Sequence, residues 1–395
     1  MHIAILGCGA IGAMTAYELS QQPDLKITVI DRQLPAQGAT QAALGVLMGA
    51  ISQKVKGRAW NLREISLKRY ETLIPELEQA TGDRIPFNRQ GIVKLCLAEE
   101  ESPDWDNLIA TRQSQGWHLE RWELAKLRQH CPQITSPRVT GAIYSADDRQ
   151  LDPKALTLSL IQAARQRGVQ FRLQTEITGF ESTLASDGSA RCHTIALGQE
   201  QLNVDAIVVT AGLGSTPLLK ALQQGRPSEP EEDRPRRESL LEIRPVLGQA
   251  VRMRLAEPLG SADFQPVVTG NDIHLVPLGD QKYGGREYWV GATVEFPPEV
   301  SMAEAAMVPV ADRLRLVLQG AIDLCPVLAS GEIIQQWSGL RPRPHQRPAP
   351  VIEPMPDYQN VIVATGHYRN GILLAPATAQ EVRSLIKSRI EIASA

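Results

Sequence analysis

The sequence predicts an α/β protein of two domains, one built around a parallel sheet and the other around an antiparallel sheet. The chain opens with a strand, a glycine-rich turn, a helix and a second strand, within residues 2–30. Further strand and helix patterns follow in the middle and at the end of the chain. By contrast, the segment 243–294 holds several β-rich stretches separated by Gly, Pro, Asn and Asp. Alternating strands and helices predict a parallel sheet, and consecutive strands predict an antiparallel one.

The elements of the first domain are apolar runs bounded by glycine, proline or capping residues. Asp152 and Pro153 illustrate this, because an aspartate caps a helix N-terminus and a proline suits the first turn. In chain order we expect strand 2–6, helix 10–22, strand 26–30, helix 58–80, helix 153–167, strands 169–173 and 206–210, strand 361–364 and helix 372–390.

The second domain is predicted from segments inserted between these elements. They comprise strands near 91–97, 140–144 and 331–337, the β-rich segment 243–294 and a helix at 301–319. The predicted division is 1–85, 145–224 and 338–395 for the first domain, which is discontinuous, with 86–144 and 240–337 for the second domain. Residues 225–239 form a polar, proline-containing run with charges of both signs, typical of a flexible charged loop. A partner-docking loop is the alternative.

Length and composition restrict the class of protein further. At 395 residues the chain exceeds the usual ~100–200 residues of one domain. Its net charge of −3 gives no reason to expect nucleic acid as a partner. Its five cysteines are scattered without CxxC spacing, which favours neither a metal site nor disulfides and fits a reducing cytoplasm. The N-terminus lacks a basic region and no stretch approaches ~20 apolar residues, so we expect a soluble cytoplasmic protein without a transmembrane segment.

The turn after the first strand carries a dinucleotide-binding pattern. In LGCGAIG, Gly7, Gly9 and Gly12 form GxGxxG at the start of a helix. Gly7 permits the tight turn, Gly9 lets a pyrophosphate approach the backbone, and Gly12 lets helix and strand pack closely. The helix N-terminus offers free N–H groups and a partial positive charge to phosphate. Asp31 ends the second strand, where a carboxylate can bind a ribose hydroxyl, so we expect a dinucleotide site.

The nature of the dinucleotide depends on residues outside this turn. Asp31 disfavours a 2′-phosphate and hence NADP, but it leaves NAD and FAD open. The stretch GATQAALGVLMGA, residues 38–50, consists mainly of small residues and can press its backbone against a flat ring system. That favours FAD, although the same stretch is also compatible with a tightly packed helix start.

These motifs and several others are similar to those of the D-amino-acid oxidase superfamily of flavoproteins, and within it of the glycine oxidases of thiamine biosynthesis. The resemblance spans almost the whole chain. It is carried by LGCGAIG, GATQAALGVL, LDPKAL, AIVVTAGLGS, PVLGQ, WSGLRPR and ATGHYRNGILLAPAT. It implies a Rossmann-like, discontinuous FAD-binding domain, an α+β substrate-binding domain with an antiparallel sheet, and FAD as the cofactor.

The resemblance also implies which residues meet the cofactor and the substrate. In addition to the three glycines and Asp31, the implied FAD contacts are Ala10, Ile11, Arg32, Ala39, Thr40, Leu44, Gly45, Val46, Ile177, His367, Tyr368, Arg369, Asn370, Gly371, Ile372 and Leu373. Arg341 in GLRPR would bind the substrate carboxylate, because a guanidinium pairs bidentately with a carboxylate and stays charged when partly buried. Arg369 would lie beside both flavin and substrate.

The pocket lining departs from the pattern of glycine oxidases at several positions. His274 stands in place of an aromatic hydroxyl, Asp272 in place of a histidine, and Val294 in place of a methionine-type residue. His274 and Val294 are substrate-contact candidates, but the changed lining leaves the identity of the substrate open. Relatives that attach flavin covalently carry a cysteine near the position of Gly339, so we expect non-covalent FAD.

The implied function is oxidative deamination of a small amino acid, such as glycine, sarcosine or a D-amino acid. Hydride would pass from Cα to flavin N5, the imine would hydrolyse, and oxygen would reoxidise the flavin to give hydrogen peroxide. Such a site mainly orients its substrate, so we expect no catalytic acid, base, nucleophile or metal. The alternatives are a D-amino-acid dehydrogenase that passes electrons to a quinone or a protein, a non-catalytic flavin-binding partner protein and, last, an NAD-dependent dehydrogenase. The resemblance also suggests a homo-oligomer.

Overall fold

The computed structural model describes residues 1–99, 104–227, 240–279, 285–296 and 311–394. Its strands are β1 His2–Leu6, β2 Lys26–Asp31, β3 Val46–Leu47, β4 Phe87–Asn88, β5 Ile92–Leu97, β6 Leu119–Glu123, β7 Val139–Ser145, β8 Arg149–Leu151, β9 Gln170–Leu173, β10 Gly179–Leu184, β11 Ala190–Leu197, β12 Glu200–Asn203, β13 Ala206–Val209, β14 Ile243–Arg254, β15 Val267–Gly270, β16 Ile273–Pro277, β17 Glu287–Gly291, β18 Glu332–Pro344, β19 Val351–Pro354 and β20 Val361–Thr365. Its α-helices are α1 Ala10–Leu19, α2 Ala39–Ala42, α3 Gly57–Thr81, α4 Trp105–Ser114, α5 Leu124–His130, α6 Pro153–Gln166, α7 Ser215–Gln224, α8 Ala311–Leu324 and α9 Gly371–Ser394.

Two of the sequence predictions fall partly outside the described residues. The flexible loop predicted at 225–239 lies there from residue 228 onward, and the helix predicted at 301–319 lies there up to residue 310. The helix α8 begins at Ala311, the first residue described after that gap. Within the described ranges, every helix is too short or too polar to cross a lipid bilayer.

A six-stranded sheet in the order β19-β20-β13-β1-β2-β9 forms the centre of one half of the fold. Its neighbouring strands are parallel except for β19 and β20. Alternate residues of β1 enter two separate cores. Ile3 and Ile5 pack with α1, α3, α6 and α9, whereas Ala4 and Leu6 pack with α7 and the small sheet β10-β11-β12. Because both faces of the sheet are covered, the central strands consist almost entirely of apolar residues.

An eight-stranded sheet in the order β18-β14-β17-β16-β15-β5-β7-β6 forms the other half. Its neighbouring strands are antiparallel apart from β15 and β5. One face, with Val251 and Leu275, packs against α5 and α8. The opposite face, with Ala250 and Val276, packs against Leu44 from the segment before β3. The parallel sheet and this antiparallel sheet confirm the predicted fold class.

The long ribbon of β14 and β18 joins the two halves. It runs from the pair Arg254–Glu332 to the pair Ile243–Pro344. A Cβ built on Gly366, in the turn after β20, would lie 2.6 Å from Cγ of Pro344, so the ribbon ends against that turn. The ribbon thus carries the WSGLRPR motif from the antiparallel sheet to the carboxyl edge of the parallel sheet. It crosses residue 338, a predicted domain boundary, without a break, and the domain division remains a prediction.

Candidate active site

The glycine-rich turn lies at the carboxyl end of β1 and leads into α1. Gly7 has φ +114°, and a Cβ there would lie 2.8 Å from Cα of Ala211. A Cβ on Gly12 would lie closer than 3.0 Å to the carbonyl oxygen of Gly7. Gly9 precedes α1 and supplies no side-chain cap to its N-terminus. The turn therefore admits only glycine at two of its positions, and Gly9 places no side chain between an approaching anion and the helix N-terminus.

The carboxylate of Asp31 lies beside this turn. Its Oδ2 accepts a hydrogen bond from the backbone N–H of Cys8 at 2.6 Å, and its Oδ1 accepts one from Gln33 at 2.8 Å. Oγ1 of Thr40 accepts a hydrogen bond from the backbone N–H of Ala10 at 3.1 Å. The structure therefore brings Asp31, Thr40 and the first turn of α1 together at the carboxyl edge of the sheet, where open α/β sheets bind nucleotides.

The small-residue segment 38–50 forms α2, a helix of four residues, and then β3. Gly45 has φ +69°, and a Cβ there would lie closer than 3.0 Å to the carbonyl oxygen of Leu151. Nε1 of Trp337 donates to the carbonyl oxygen of Ala42 at 3.1 Å. The segment is thus a short helix followed by a constrained extended chain, placed between the glycine turn and the eight-stranded sheet.

A buried aspartate that the sequence interpretation missed holds the end of this segment. Oδ1 of Asp148 accepts hydrogen bonds from the backbone N–H groups of Gly49 at 2.7 Å and Ala50 at 2.8 Å. Its Oδ2 accepts one from Ile51 at 2.9 Å. Burial raises the pKa of Asp148, and these backbone hydrogen bonds oppose the shift. No sequence pattern indicated this role, because the acceptor and its donors are distant in the chain.

A buried arginine, which the sequence interpretation also missed, holds the end of this segment and the residues that follow it. Nε of Arg112 donates to the carbonyl of Ala50 at 2.6 Å, and its Nη2 donates to the carbonyls of Ser52 and Lys54, both at 2.9 Å. The guanidinium lies 3.5 Å from the centre of the Trp60 ring. In sequence Arg112 looks like an ordinary surface arginine of a helix, so its burial depends on how α4 docks.

The C-terminal motif folds as a tight turn between β20 and α9. Gly366 has φ +69°. His367 is buried, and its Nε2 forms a hydrogen bond with Oγ1 of Thr378 at 2.8 Å. Burial lowers the pKa of His367 to about 3, so its ring is neutral at pH 7. The hydroxyl of Tyr70 donates to the carbonyl of Ile372, which anchors the start of α9.

The remaining predicted cofactor residues differ in exposure. Arg32, Ala39 and Arg369 are exposed, whereas Ile11, Val46, Ile177, Tyr368, Asn370 and Gly371 are half-buried, and Ala10, Leu44 and Leu373 are buried. Ile177 lies in the loop after β9 and packs at the edge of the core beside α7. The same loop is tied to the second strand, because the N–H of Thr175 donates to the carbonyl of Asp31 at 2.9 Å.

Two of the predicted substrate residues, Arg341 and His274, lie on the face of the eight-stranded sheet that is turned towards segment 38–50. Strand register places His274, Gly291, Ala250 and Trp337 side by side in one row. Side chains alternate along a strand, so Arg341 points to the same face as Trp337, four residues earlier on β18. The small residues Gly291 and Ala250 lie in the middle of this row, and the larger His274 and Trp337 lie at its ends.

Arg341 is held at one end of this face by main-chain oxygens. Its Nη1 donates to the carbonyl of Leu247 at 3.1 Å and to that of Thr293 at 2.9 Å. Within the described residues no carboxylate forms an ion pair with it. Burial, and then the charge of Arg369, lowers the pKa of Arg341, but a guanidinium stays charged at pH 7. Val294 adjoins Thr293 and is half-buried.

Arg369 and His274 lie beside Arg341. Nη2 of Arg369 donates to Oδ1 of Asp272 at 2.9 Å. Burial and the charge of Arg369 lower the pKa of His274 to about 4, so the imidazole is neutral at pH 7. Its Nδ1 is buried and has no hydrogen-bond partner among the described residues. The site therefore combines two guanidinium groups, one carboxylate and one neutral imidazole.

Comparison with known proteins identifies the family. A family model described as FAD dependent oxidoreductase matches residues 2–385. The chain belongs to the FAD-dependent oxidoreductase family. This confirms the predicted superfamily, the cofactor FAD and the assignment as an enzyme. The glycine turn, Asp31 and the start of α1 fit the dinucleotide part of FAD, since they offer backbone donors and a carboxylate at one sheet edge.

Relatives and solved structures of this oxidoreductase family cover nearly the whole chain. A glycine oxidase from Geobacillus kaustophilus is 26% identical over 98% of this chain and 93% of that protein. A bifunctional protein ThiO/ThiG from Synechocystis is 29% identical over 97% of this chain but only 51% of its own length. The crystal structure of the G. kaustophilus glycine oxidase has a TM-score of 0.81 at 24% identity, covering 98% of this chain and 94% of that one. That of L-proline dehydrogenase from P. horikoshii has a TM-score of 0.79 at 18% identity, with 98% and 93% covered, which shows a shared fold.

Proposed function

We propose that this FAD-dependent oxidoreductase deaminates a small amino acid, such as glycine, sarcosine or a D-amino acid, and releases hydrogen peroxide. The observation that carries the proposal is Arg341, a half-buried guanidinium without a carboxylate partner in the described residues. It lies on the sheet face that opposes the FAD-contacting segment 38–50. A cation in that position matches the carboxylate of an amino acid.

Arg341 anchors the substrate in this proposal. Its two hydrogen bonds to the described residues both use Nη1, so Nη2 and Nε remain as donors for two carboxylate oxygens. A bidentate pair of this kind is strong and fixes orientation as well as position. Binding the carboxylate at the end of the sheet face directs the amine and Cα away from Arg341, over the small residues of the row.

The neutral His274 and the apolar Val294 shape the rest of the pocket. Neutral imidazole can donate one hydrogen bond and accept another. It therefore suits a substrate carboxylate or an uncharged amine without adding a further positive charge. Val294 supplies a small apolar wall. When bound, FAD supplies the hydride acceptor for oxidation of the amine to an imine.

The mode of FAD attachment is proposed to be non-covalent. The resemblance places the cysteine of covalently flavinylated relatives near the position of Gly339. A Cβ on Gly339 would lie closer than 3.0 Å to Cβ of Ala42. The packing of α2 against β18 thus opposes any side chain at this position. Denatured protein should release its yellow colour into the supernatant, and a pellet that stays yellow contradicts the proposal.

The names of the relatives support the choice of substrates. Several relatives are named glycine oxidase, and the resemblance makes thiamine biosynthesis the proposed context. Glycine is therefore the first substrate to test. The changed lining at His274, Asp272 and Val294 makes sarcosine, proline and D-amino acids the necessary comparison.

Anaerobic bleaching of the flavin tests the proposal directly. The protein is mixed without oxygen with glycine, sarcosine, proline and a set of D-amino acids, and flavin absorbance is followed. We expect bleaching by at least one amine, and peroxide release when air is admitted. Bleaching by none of them contradicts oxidation of an amino acid. Bleaching followed by dye reduction without peroxide identifies a dehydrogenase that uses another acceptor.

A further inference from the structure

The ion pair of Asp272 and Arg369 borders the sheet face that carries Arg341 and His274. The hydrogen-bonded atoms are 2.9 Å apart, and the two side chains keep 68% and 35% of their exposure. Ion pairs this open to solvent contribute little to folding stability. The pair matters instead for the charge that an incoming ligand meets, because it lies where the turn after β20 approaches the antiparallel sheet.

A tight turn holds Asp272 in this position. Asn271 and Asp272 alone connect β15 to β16, and they have φ +49° and φ +60°. Gly270 pairs with Ile273 across the turn. Two consecutive residues with positive φ in a two-residue hairpin define a type I′ turn, for which Asn and Asp are well suited. The Asp272 carboxylate is therefore presented by a rigid hairpin rather than by a mobile loop.

The three charged groups that act most strongly on His274 together carry a single net positive charge. Arg341 and Arg369 contribute two guanidinium groups, and Asp272 contributes one carboxylate. Two further charged groups act more weakly and are opposite in sign. Lys94 has its Nζ 5.7 Å from the centre of the Trp105 ring. Glu295 acts on Arg341 rather than on His274, and it forms an ion pair with Arg313 at 3.9 Å. With His274 neutral, one substrate carboxylate balances the cluster.

We propose that Asp272 is a specificity-determining residue that restricts this site to amines with a single carboxylate. It occupies Arg369, which would otherwise be the cation available to a second carboxylate. Its own negative charge repels that second carboxylate. Discrimination thus includes a repulsive element as well as the attraction of Arg341. The inference rests on the proposed function, in which Arg341 anchors the first carboxylate.

Binding of carboxylates that cannot be oxidised as amines tests this inference. The FAD-loaded protein is titrated with acetate and with malonate at constant pH and ionic strength, and the change in flavin absorbance gives each dissociation constant. The variants are Asp272→Asn, whose side chain suits the same turn, and Asp272→Gly, which tolerates positive φ. Asp263→Asn is the control, since it removes an exposed acid that forms no ion pair within the described residues.

We expect the ratio of the acetate to the malonate dissociation constant to rise about fivefold or more in both Asp272 variants and to stay unchanged in the control. A smaller rise in the Asp272 variants, an equal rise in the control, or no spectral change in any protein overturns the inference. These titrations do not depend on turnover, so they report on Asp272 even if no amine bleaches the flavin. An Arg341→Ala protein with unchanged acetate affinity would instead contradict the proposed anchor.

Discussion

The guanidinium of Arg341 lies directly over Gly248 of the neighbouring strand. A Cβ built on Gly248 would approach Nη1, Nη2 and Cζ of Arg341 more closely than 3.0 Å. Glycine is thus the only residue type at position 248 that leaves Arg341 in its observed position. The position of the Arg341 guanidinium therefore depends on the absence of a side chain at Gly248 on the neighbouring strand.

Replacement of Gly248 by alanine should displace Arg341 and raise the KM for the amino acid about tenfold or more, while FAD remains bound. A misplaced anchor weakens carboxylate binding, and tenfold corresponds to about 1.4 kcal/mol. Steady-state kinetics and the flavin content of the purified protein measure the two effects. Gly179→Ala is the matched control, because its Cβ would meet Cβ of Ala196 at an ordinary 3.8 Å. An unchanged KM in Gly248→Ala would show that the arginine adapts.

Removal of the guanidinium itself, in Arg341→Ala, should raise KM strongly and leave FAD bound. Loss of one partner of a buried charge-assisted pair typically costs ~2–5 kcal/mol. Arg341→Lys should recover only part of the loss, because an ammonium cannot form the bidentate pair. Arg347→Ala serves as the control, since Arg347 pairs with Glu353 at 2.7 Å. If KM in Arg341→Ala moves less than about tenfold, Arg341 is not the anchor.

Replacement of Gly12 by alanine should abolish retention of FAD. Its Cβ would collide with the carbonyl of Gly7 and with Oγ1 of Thr210, so the turn that is predicted to bind the cofactor would have to open. The ratio of flavin to protein absorbance after gel filtration measures the effect. Gly214→Ala, where the Cβ would lie 3.4 Å from Cβ of Ala211, should retain its flavin. Retention of more than half of the flavin by Gly12→Ala would contradict the prediction.

Stability should fall in acid partly because of His367. Its pKa is lowered from 6.5 to about 3 in the folded protein, so below pH 6.5 the unfolded chain binds a proton that the folded protein does not. Unfolding is therefore favoured as pH falls through this interval. The contribution of His367 should make the free energy of unfolding about 3 kcal/mol lower at pH 4.5 than at pH 7, because one unit of pKa corresponds to about 1.4 kcal/mol.

Denaturant unfolding of the wild type and of His367→Gln at pH 7 and pH 4.5 measures this contribution. Glutamine keeps a donor and an acceptor for Thr378 but does not titrate, so the acid-induced loss should be smaller in this variant. His118→Gln is the control, because the His118 side chain is 81% exposed. An equal acid-induced loss in His367→Gln and the wild type would exclude His367 as a cause.

Much of the fold could be predicted from the sequence, because its signals are local. The turn of Gly7, Gly9 and Gly12 lies between two elements that are adjacent in sequence. The steric constraints on its backbone involve residues only a few positions apart. Strand β2 ends at Asp31, as the apolar run predicted. By contrast, the predicted strand 331–337 continues to Pro344 as β18. Its partner strand β14, distant in sequence, extends the pairing through the arginine motif.

The predicted site residues were located mainly by family resemblance, and their roles remain predictions. The resemblance did not indicate the long-range contacts that hold these residues and segment 38–50 in place. Asp148 binds three backbone N–H groups about a hundred residues earlier in the chain, as the separations of 97 to 99 show. Asp272 reaches Arg369 over a separation of 97 residues. Neither aspartate differs from a surface acid when only its neighbours in sequence are considered.

The sequence by itself determined the parallel nucleotide-binding sheet, its glycine turn and the terminal Asp31, because backbone sterics and hydrophobic periodicity act locally. Tertiary structure alone decided that Arg341 lies over Gly248, that His274 is half-buried and neutral, and that Asp272 pairs with Arg369. These relationships arise where separate strands and turns meet, and the charge and exposure of a side chain there depend on neighbours distant in the chain.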